Sequence, residues 1–126
     1  MATLAAVRRL IAAAVVACAL PTAAHAAPFR VSVLTPTWKP GAGAKWEYGV
    51  IVTDNQGEPG AATVFPQVFV GGKKYDSLGS HYTMLGIVDQ PYQWSRKLRR
   101  RRDVVFRVTV YAFGTKLVRQ FHVLVR

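Results

Sequence analysis

The chain has 126 residues, with 17 Lys and Arg against 6 Asp and Glu, a formal net charge of +11 and a single cysteine, Cys18. That length makes one small domain, and one cysteine excludes an internal disulfide framework, a zinc thiolate cluster and a cysteine pair of any redox kind. With 51% apolar residues, three tryptophans and six phenylalanines, such a domain has the material to hold together by core packing alone.

The opening "MATLAAVRRLIAAAVVACALPTAAHAAPFR" places Arg8 and Arg9 before an apolar run from Leu10 to Leu20, then Pro21 and the small-residue pattern Ala24-His25-Ala26. A charged start, a short apolar middle and an A-x-A end predict a secretory signal peptide over residues 1–26, cleaved after Ala26. The run is too short to cross about 30 Å of hydrocarbon as a helix, so no transmembrane segment is expected after processing. Two alternatives stand beside this reading. "VVAC" resembles a lipobox, which would make Cys18 a lipidated N-terminus, and the arginine pair could mark twin-arginine export, although its flanking residues do not fit. Cleavage after Ala26 leaves residues 27–126 with 15 basic and 6 acidic side chains, a net +9. That charge favours solubility and attraction to anionic surfaces.

From residue 27 onward the pattern is of strands broken by turn residues about every ten positions. "FRVSV" puts Phe29, Val31 and Val33 on one face. "KWEYGVIVTD" does the same with Trp46, Tyr48, Val50 and Val52, and "DNQG" at 54–57 closes it with turn chemistry. "ATVFPQVFV" reads as a further strand, in which Pro66 predicts an edge or a bulge. Gly71-Gly72 suits a two-residue hairpin into "KKYDSL". "LGSHYTMLG" reads as a loop, and "PYQWSRKL" as a weaker strand with Tyr92, Trp94 and Leu98 in phase.

The last two strands, "DVVFRVTVYAF" and "KLVRQFHVLVR", are separated by Gly114-Thr115, which predicts a type II′ turn. Phe113 then faces Lys116, Val108 faces Phe121, Phe106 faces Val123 and Val104 faces Val125, with Arg107 opposite His122 and Thr109 opposite Gln120. One face becomes apolar on both strands, with Arg119 snorkelling out. Val105, Tyr111, Val118 and Leu124 form a second apolar set on the other face.

About seven strands in 100 residues predict an all-β, two-sheet antiparallel sandwich. At "KWEYGVIVTDNQGEPGAATVFPQVFVGGKKY", followed by a Trp-containing segment and "VVFRVTV…VLVR", residues 29–126 resemble immunoglobulin-like and fibronectin III-like domains of secreted bacterial proteins of the high-GC, actinobacterial type. The resemblance implies a sandwich at or outside the cell envelope and implies no reaction. The Cys…Trp…Cys pattern of antibody domains is absent, so only the architecture carries over.

Chemistry-bearing residues are sparse. His122 falls on a polar strand face, and His81 has Ser80 and Tyr82 beside it in sequence, which does not make a triad. The contrasting reading, a small secreted hydrolase using His81, would require a carboxylate within hydrogen-bond reach in a cleft. The carboxylates Glu47, Asp54, Glu58, Asp76, Asp89 and Asp103 lack calcium-loop spacing, and "GGKK" lacks the setting of a phosphate-binding loop. No metal or cofactor is expected, and no catalytic residue is assigned.

The outstanding feature is "KLRRRR" at 97–102. With Arg96, the side chains of Lys97, Arg99, Arg100, Arg101 and Arg102 are candidates for binding an anionic envelope polymer, backed by Lys73 and Lys74 if those loops share a pole. The competing reading is a solvated loop between sheets, kept exposed and mobile by mutual repulsion. A specific nucleic-acid role is disfavoured, since no recognition motif accompanies the run. Trp38, between Pro36 and Pro40, either plugs the open end of the sandwich or stands out as an aromatic contact for a partner protein. The expected function is a non-enzymatic structural or binding module.

Overall fold

The computed structural model describes residues 27–126. The leader, its Ala26 cleavage point and Cys18 lie outside the described residues. Eight strands follow in order: β1 (Arg30–Leu34), β2 (Lys45–Thr53), β3 (Ala62–Val70), β4 (Lys73–Ser77), β5 (His81–Thr83), β6 (Ile87–Gln93), β7 (Val104–Ala112) and β8 (Thr115–Val123). They form two antiparallel sheets, one in the order β1-β2-β6 and one in the order β4-β3-β7-β8, with β5 also paired to β3. Among the described residues no helix is long and apolar enough to cross a membrane.

Alternation places the core. Trp46, Tyr48, Val50 and Val52 of β2 meet Ala62, Val64 and Val68 of β3 and Val104, Phe106, Val108 and Val110 of β7, all buried. Trp46 is the hub, with ring centroids 5.3 Å from Phe106, 5.4 Å from Trp94 and 5.5 Å from Tyr48. Burial of this kind stabilises by roughly 1.5–3 kcal/mol per large side chain, the main favourable term in a domain without disulfides.

Four expectations need correction. β3 is not an edge strand, although its pairing with β4 carries an irregularity between Val68 and Phe69: β7 pairs along its whole length on one side, and β4 and β5 share the other. Pro66 is tolerated because its carbonyl, and hence its donor-less nitrogen, faces the gap where β4 ends and β5 has not begun. The carbonyl accepts instead from Leu78 N at 3.0 Å. The segment read as a loop contains β5, whose three residues are too few to show alternation; they are recruited by pairing with Ala62–Val64. The Trp-containing strand starts earlier, at Ile87, and ends at Gln93. Leu98 reaches the core through a 3₁₀ turn over Arg96–Leu98, which Ser95 caps by accepting from Lys97 N.

The closing hairpin has the expected faces but another register. Its two-residue loop is Phe113-Gly114, both at positive φ (51° and 74°), as in a type I′ turn. Ala112 pairs with Thr115, Val108 with Arg119, Phe106 with Phe121 and Val104 with Val123. Arg107 therefore faces Gln120, Thr109 faces Val118 and Val105 faces His122. The pairing is two residues away from the expected one, so side-chain parity is preserved and core and surface sort as expected. Phe113 accepts the left-handed conformation because its ring covers Gly60 and packs on Phe29 at 5.7 Å.

Two hairpin features match the sequence directly. Val70 pairs with Lys73 around Gly71-Gly72, and Gly57 N donates to Asp54 O at 3.2 Å in the DNQG turn. After β1 the chain crosses to the other sheet. Leu124 N donates to Trp38 O, Arg126 N to Pro40 O and Ala42 N to Arg126 O, a parallel ladder in which Pro40 occupies a position whose donor is not available.

Candidate functional site at the cationic pole

The strand directions bring four separate segments to one end of the sandwich. These are the β1–β2 connection, the Gly71-Gly72 turn, the β6–β7 connection and the chain end at Arg126. The β6–β7 connection passes from one sheet to the other and carries the arginine run. Its anchor is Leu98, fully buried beside Trp94 in the core cluster.

Around that anchor the backbone is tied rather than loose. Arg99 N donates to Arg96 O at 3.2 Å, Arg101 N to Leu98 O at 3.1 Å and Arg100 N to Val125 O at 2.7 Å. Arg100 sits at φ 64°, a left-handed conformation that costs about 1 kcal/mol or more for a residue with a Cβ and turns the chain back toward β7. The next tie reaches another segment: Gly71 N donates to Asp103 O at 3.1 Å. The two loops thus share a pole, with Lys73 just past the turn. Arg96 lies across Gly43, where a Cβ would meet its Nε at 2.6 Å. Arg126 Nε donates to Lys39 O at 2.8 Å, which brings a further cation and Lys39 to the same end.

The side chains behave as expected of a solvated run: Arg96, Lys97, Arg99, Arg100, Arg101 and Arg102 are all exposed. Their mutual repulsion is partly offset by one carboxylate. Asp103 accepts from Arg101 Nε at 2.8 Å and also from its Nη2, the one ion pair among the described residues. The hydrogen bond from Arg101 holds the Asp103 carboxyl below its ordinary 3.8, and the same pair raises Arg101. Arg99, Arg100, Arg102, Arg96 and Lys97 are left to offer hydrogen bonds outward.

Trp38 is half-buried and stacks on Phe121 with centroids 4.8 Å apart and rings 9° from parallel. It also lies 5.8 Å from Trp46, so it closes the cationic end of the core. Trp94 is core, edge-on to Trp46 and Tyr92. Tyr92 is tethered by its hydroxyl, which donates to Asp76 at 2.8 Å, and burial followed by that bond pushes its ionisation up. His81 Nε2 lies 2.8 Å from the Leu78 carbonyl, and no carboxylate is among its hydrogen-bond partners. It does not line the depression of about 760 Å³ on the outer β1-β2-β6 face around Leu34, Glu47, Gly49, Ile51, Ile87 and Asp89. Among the described residues no three His, Cys, Asp or Glu side chains converge to hold a metal ion.

The contributions of Lys39 and Arg126 to the pole were missed from sequence. They lie 87 positions apart and meet only because the β1–β2 connection runs beside the chain end.

No family model matches the chain, and no curated protein does. Solved structures do. A conjugative transposon lipoprotein from Bacteroides eggerthii superposes with a TM-score of 0.53 at 18% identity, covering 78% of this chain and 98% of that one. The adhesin InvE of Yersinia pseudotuberculosis gives 0.49 at 16% identity, covering 77% of this chain and 32% of that one. The sporulation control protein Spo0M of Bacillus subtilis gives 0.48 at 12%, covering 80% and 50%. At such identities the first likeness shows a shared all-β fold and nothing of function.

Proposed function

We propose that this chain is a secreted, non-enzymatic, immunoglobulin-like module that binds anionic polymers of the cell envelope through its cationic pole. The immunoglobulin-like reading is supported by two antiparallel sheets, of three and five strands, that share one core. It is supported further by the way the chain after β1 crosses over to run parallel beside the residues following β8. Export is supported by the charged, apolar and A-x-A sequence of residues 1–26. A non-enzymatic role is supported by a His81 held on a main-chain carbonyl rather than on a carboxylate.

The observation that carries the binding reading is convergence on a tied backbone. Arg96–Arg102, Lys39, Lys73 and Arg126 come from four segments to one end, and the carboxylate that follows the run, Asp103, is occupied by Arg101. Guanidinium groups match phosphate and sulfate with two parallel donors each. Held on a fixed backbone they need less ordering when a polymer arrives. Exposed charges at this spacing act within about one Debye length, so attraction must fall with salt.

The test is binding to heparin and to teichoic acid across a salt series. One variant has Arg99, Arg100, Arg101 and Arg102 replaced by Ser; another carries only Arg99→Ser and Arg102→Ser, which leaves Arg101–Asp103 intact. Binding near physiological salt that weakens in both variants, with a shallower salt slope in the fourfold one, supports the site. Equal elution of all three proteins sinks it and leaves the run as a solvated loop.

A further inference from the structure

The end of the sandwich opposite the arginines has the reverse character. Met84 and Leu85 at the β5–β6 turn are each 75% exposed, Tyr82 is 68% exposed and Phe113 at the β7–β8 turn is 48% exposed. These side chains come from separate turns yet adjoin. A Cβ on Gly60 would run into the Phe113 ring, and a Cβ on Gly86 would lie 3.1 Å from Gly60 O, so both turns pack on the same glycine. Tyr82 and Tyr111 flank them, paired to Thr63 from either side. Native surfaces scatter single apolar residues freely, but a contiguous apolar group on turn tips marks a contact.

Charge at this end is sparse and mixed. Glu58 and Asp54 belong to the neighbouring turn, where Asp54 Oδ1 already accepts from Gln56 N and Glu58 N. Lys116 stands opposite Tyr111, and Arg30 opposite Thr53. The chain also enters the fold here. Asn55 Nδ2 donates to the Ala27 carbonyl at 3.1 Å and lies 3.4 Å from that of Pro28. Only six residues, 21–26, separate the apolar run Leu10–Leu20 from Ala27. Six residues reach roughly 20 Å at most, so in the uncleaved chain a bilayer that holds that run has this pole beside it.

We propose that the Met84-Leu85 and Phe113 turns, with Tyr82, insert into the interfacial zone of a lipid bilayer with zwitterionic headgroups. The cationic pole then faces away from the membrane, toward polymer. Aromatic rings with a polar tip and flexible apolar side chains suit the headgroup–acyl boundary, and balanced charges favour neutral headgroups over anionic ones. A second copy is a poorer occupant, because two described units of net +9 repel at low ionic strength. This site is separate from the arginine pole and stands whether or not that pole binds polymer.

The experiment uses the full chain with Leu85→Trp or, as control, Lys97→Trp, mixed with vesicles of brominated phosphatidylcholine at about 0.5 M salt, where exposed electrostatics are screened. Tryptophan at 85 is expected to shift to the blue and lose about half its emission to bromine, while tryptophan at 97 changes no more than wild type. Adding Met84→Asp to Leu85→Trp is expected to abolish the quenching with the far-ultraviolet circular dichroism unchanged. Equal quenching at 85 and 97, or none at 85, overturns the proposal. A concentration-dependent dimer that Met84→Asp dissolves, without quenching at 85, also overturns it and gives the patch to a second copy.

Discussion

Gly86 holds the Met84-Leu85 turn in place, and replacing it by alanine tests that arrangement most directly. Its φ is +75°, where a Cβ costs about 1–2 kcal/mol. An added Cβ would also sit 2.5 Å from Val52 O, 3.1 Å from Gly60 O and 3.2 Å from Gly60 N. All three are backbone atoms, so no side chain can swing aside. Relief requires loosening the Val52 N to Gly86 O hydrogen bond of 2.7 Å or displacing Gly60 from under Phe113. Overlap of this kind costs about 1–3 kcal/mol, and the reduced freedom of the unfolded chain returns less than about 1 kcal/mol. The expected loss is about 3 kcal/mol, large against the roughly 5–15 kcal/mol of a typical domain.

Gly57→Ala is the matched control. Its φ is +88°, but none of the described residues lies within 4 Å of the added Cβ, so it carries the backbone strain alone, about 1 kcal/mol net. Urea unfolding read by tryptophan fluorescence gives both values, provided the m-values agree. Gly86→Ala should cost about 2 kcal/mol more than Gly57→Ala. Equal midpoints for the two would refute the claim that the β5–β6 turn is seated on the backbone of Val52 and Gly60.

Tyr48→Phe removes a buried hydroxyl that has no hydrogen-bond partner among the described residues and should stabilise by about 1 kcal/mol in the same assay. Burial raises the ionisation of Tyr48 and Tyr92 above the ordinary 10.0, so the stability it represents is intact below pH 10 and lost as pH rises further; the phenylalanine variant should lose less between pH 10 and 12. Asp103, held low by Arg101, has the opposite sign. Its contribution is present above 3.8 and lost as pH falls, and a carboxyl titration followed by NMR should move up toward 3.8 in Arg101→Ser. Asp103→Asn frees Arg101 and should tighten heparin binding a few-fold; weaker binding would contradict the pole as drawn. Trp38→Ala opens the core end over Phe121 and should cost about 2–3 kcal/mol while leaving heparin affinity unchanged; a loss of affinity at full stability would make Trp38 a contact instead.

Much of this architecture follows from sequence alone. Alternation in 46–52, 62–70 and 104–112 suffices to assign strands and faces, because a period of two leaves no other amphipathic solution. The turn at Gly71-Gly72 and the exposure of residues 96–102, Leu98 excepted, were equally legible, since each depends on local chemistry. The hairpin register was not. Pairings two residues apart bury the same side chains, and the choice between them rests on Phe113, whose positive φ is supported by Gly60 and Phe29 from distant parts of the chain. β5 and the tolerance of Pro66 depend on a gap between two neighbours of β3, which no local pattern encodes. The same holds for both ends of the molecule. Sequence supplies the cations and the apolar turn residues, but strand direction and loop crossing decide which end each occupies. Only the folded chain gathers Lys39, Lys73 and Arg126 around the arginines, and Met84, Leu85 and Phe113 around Gly60, because contact between segments tens of residues apart is set by sheet pairing and not by composition.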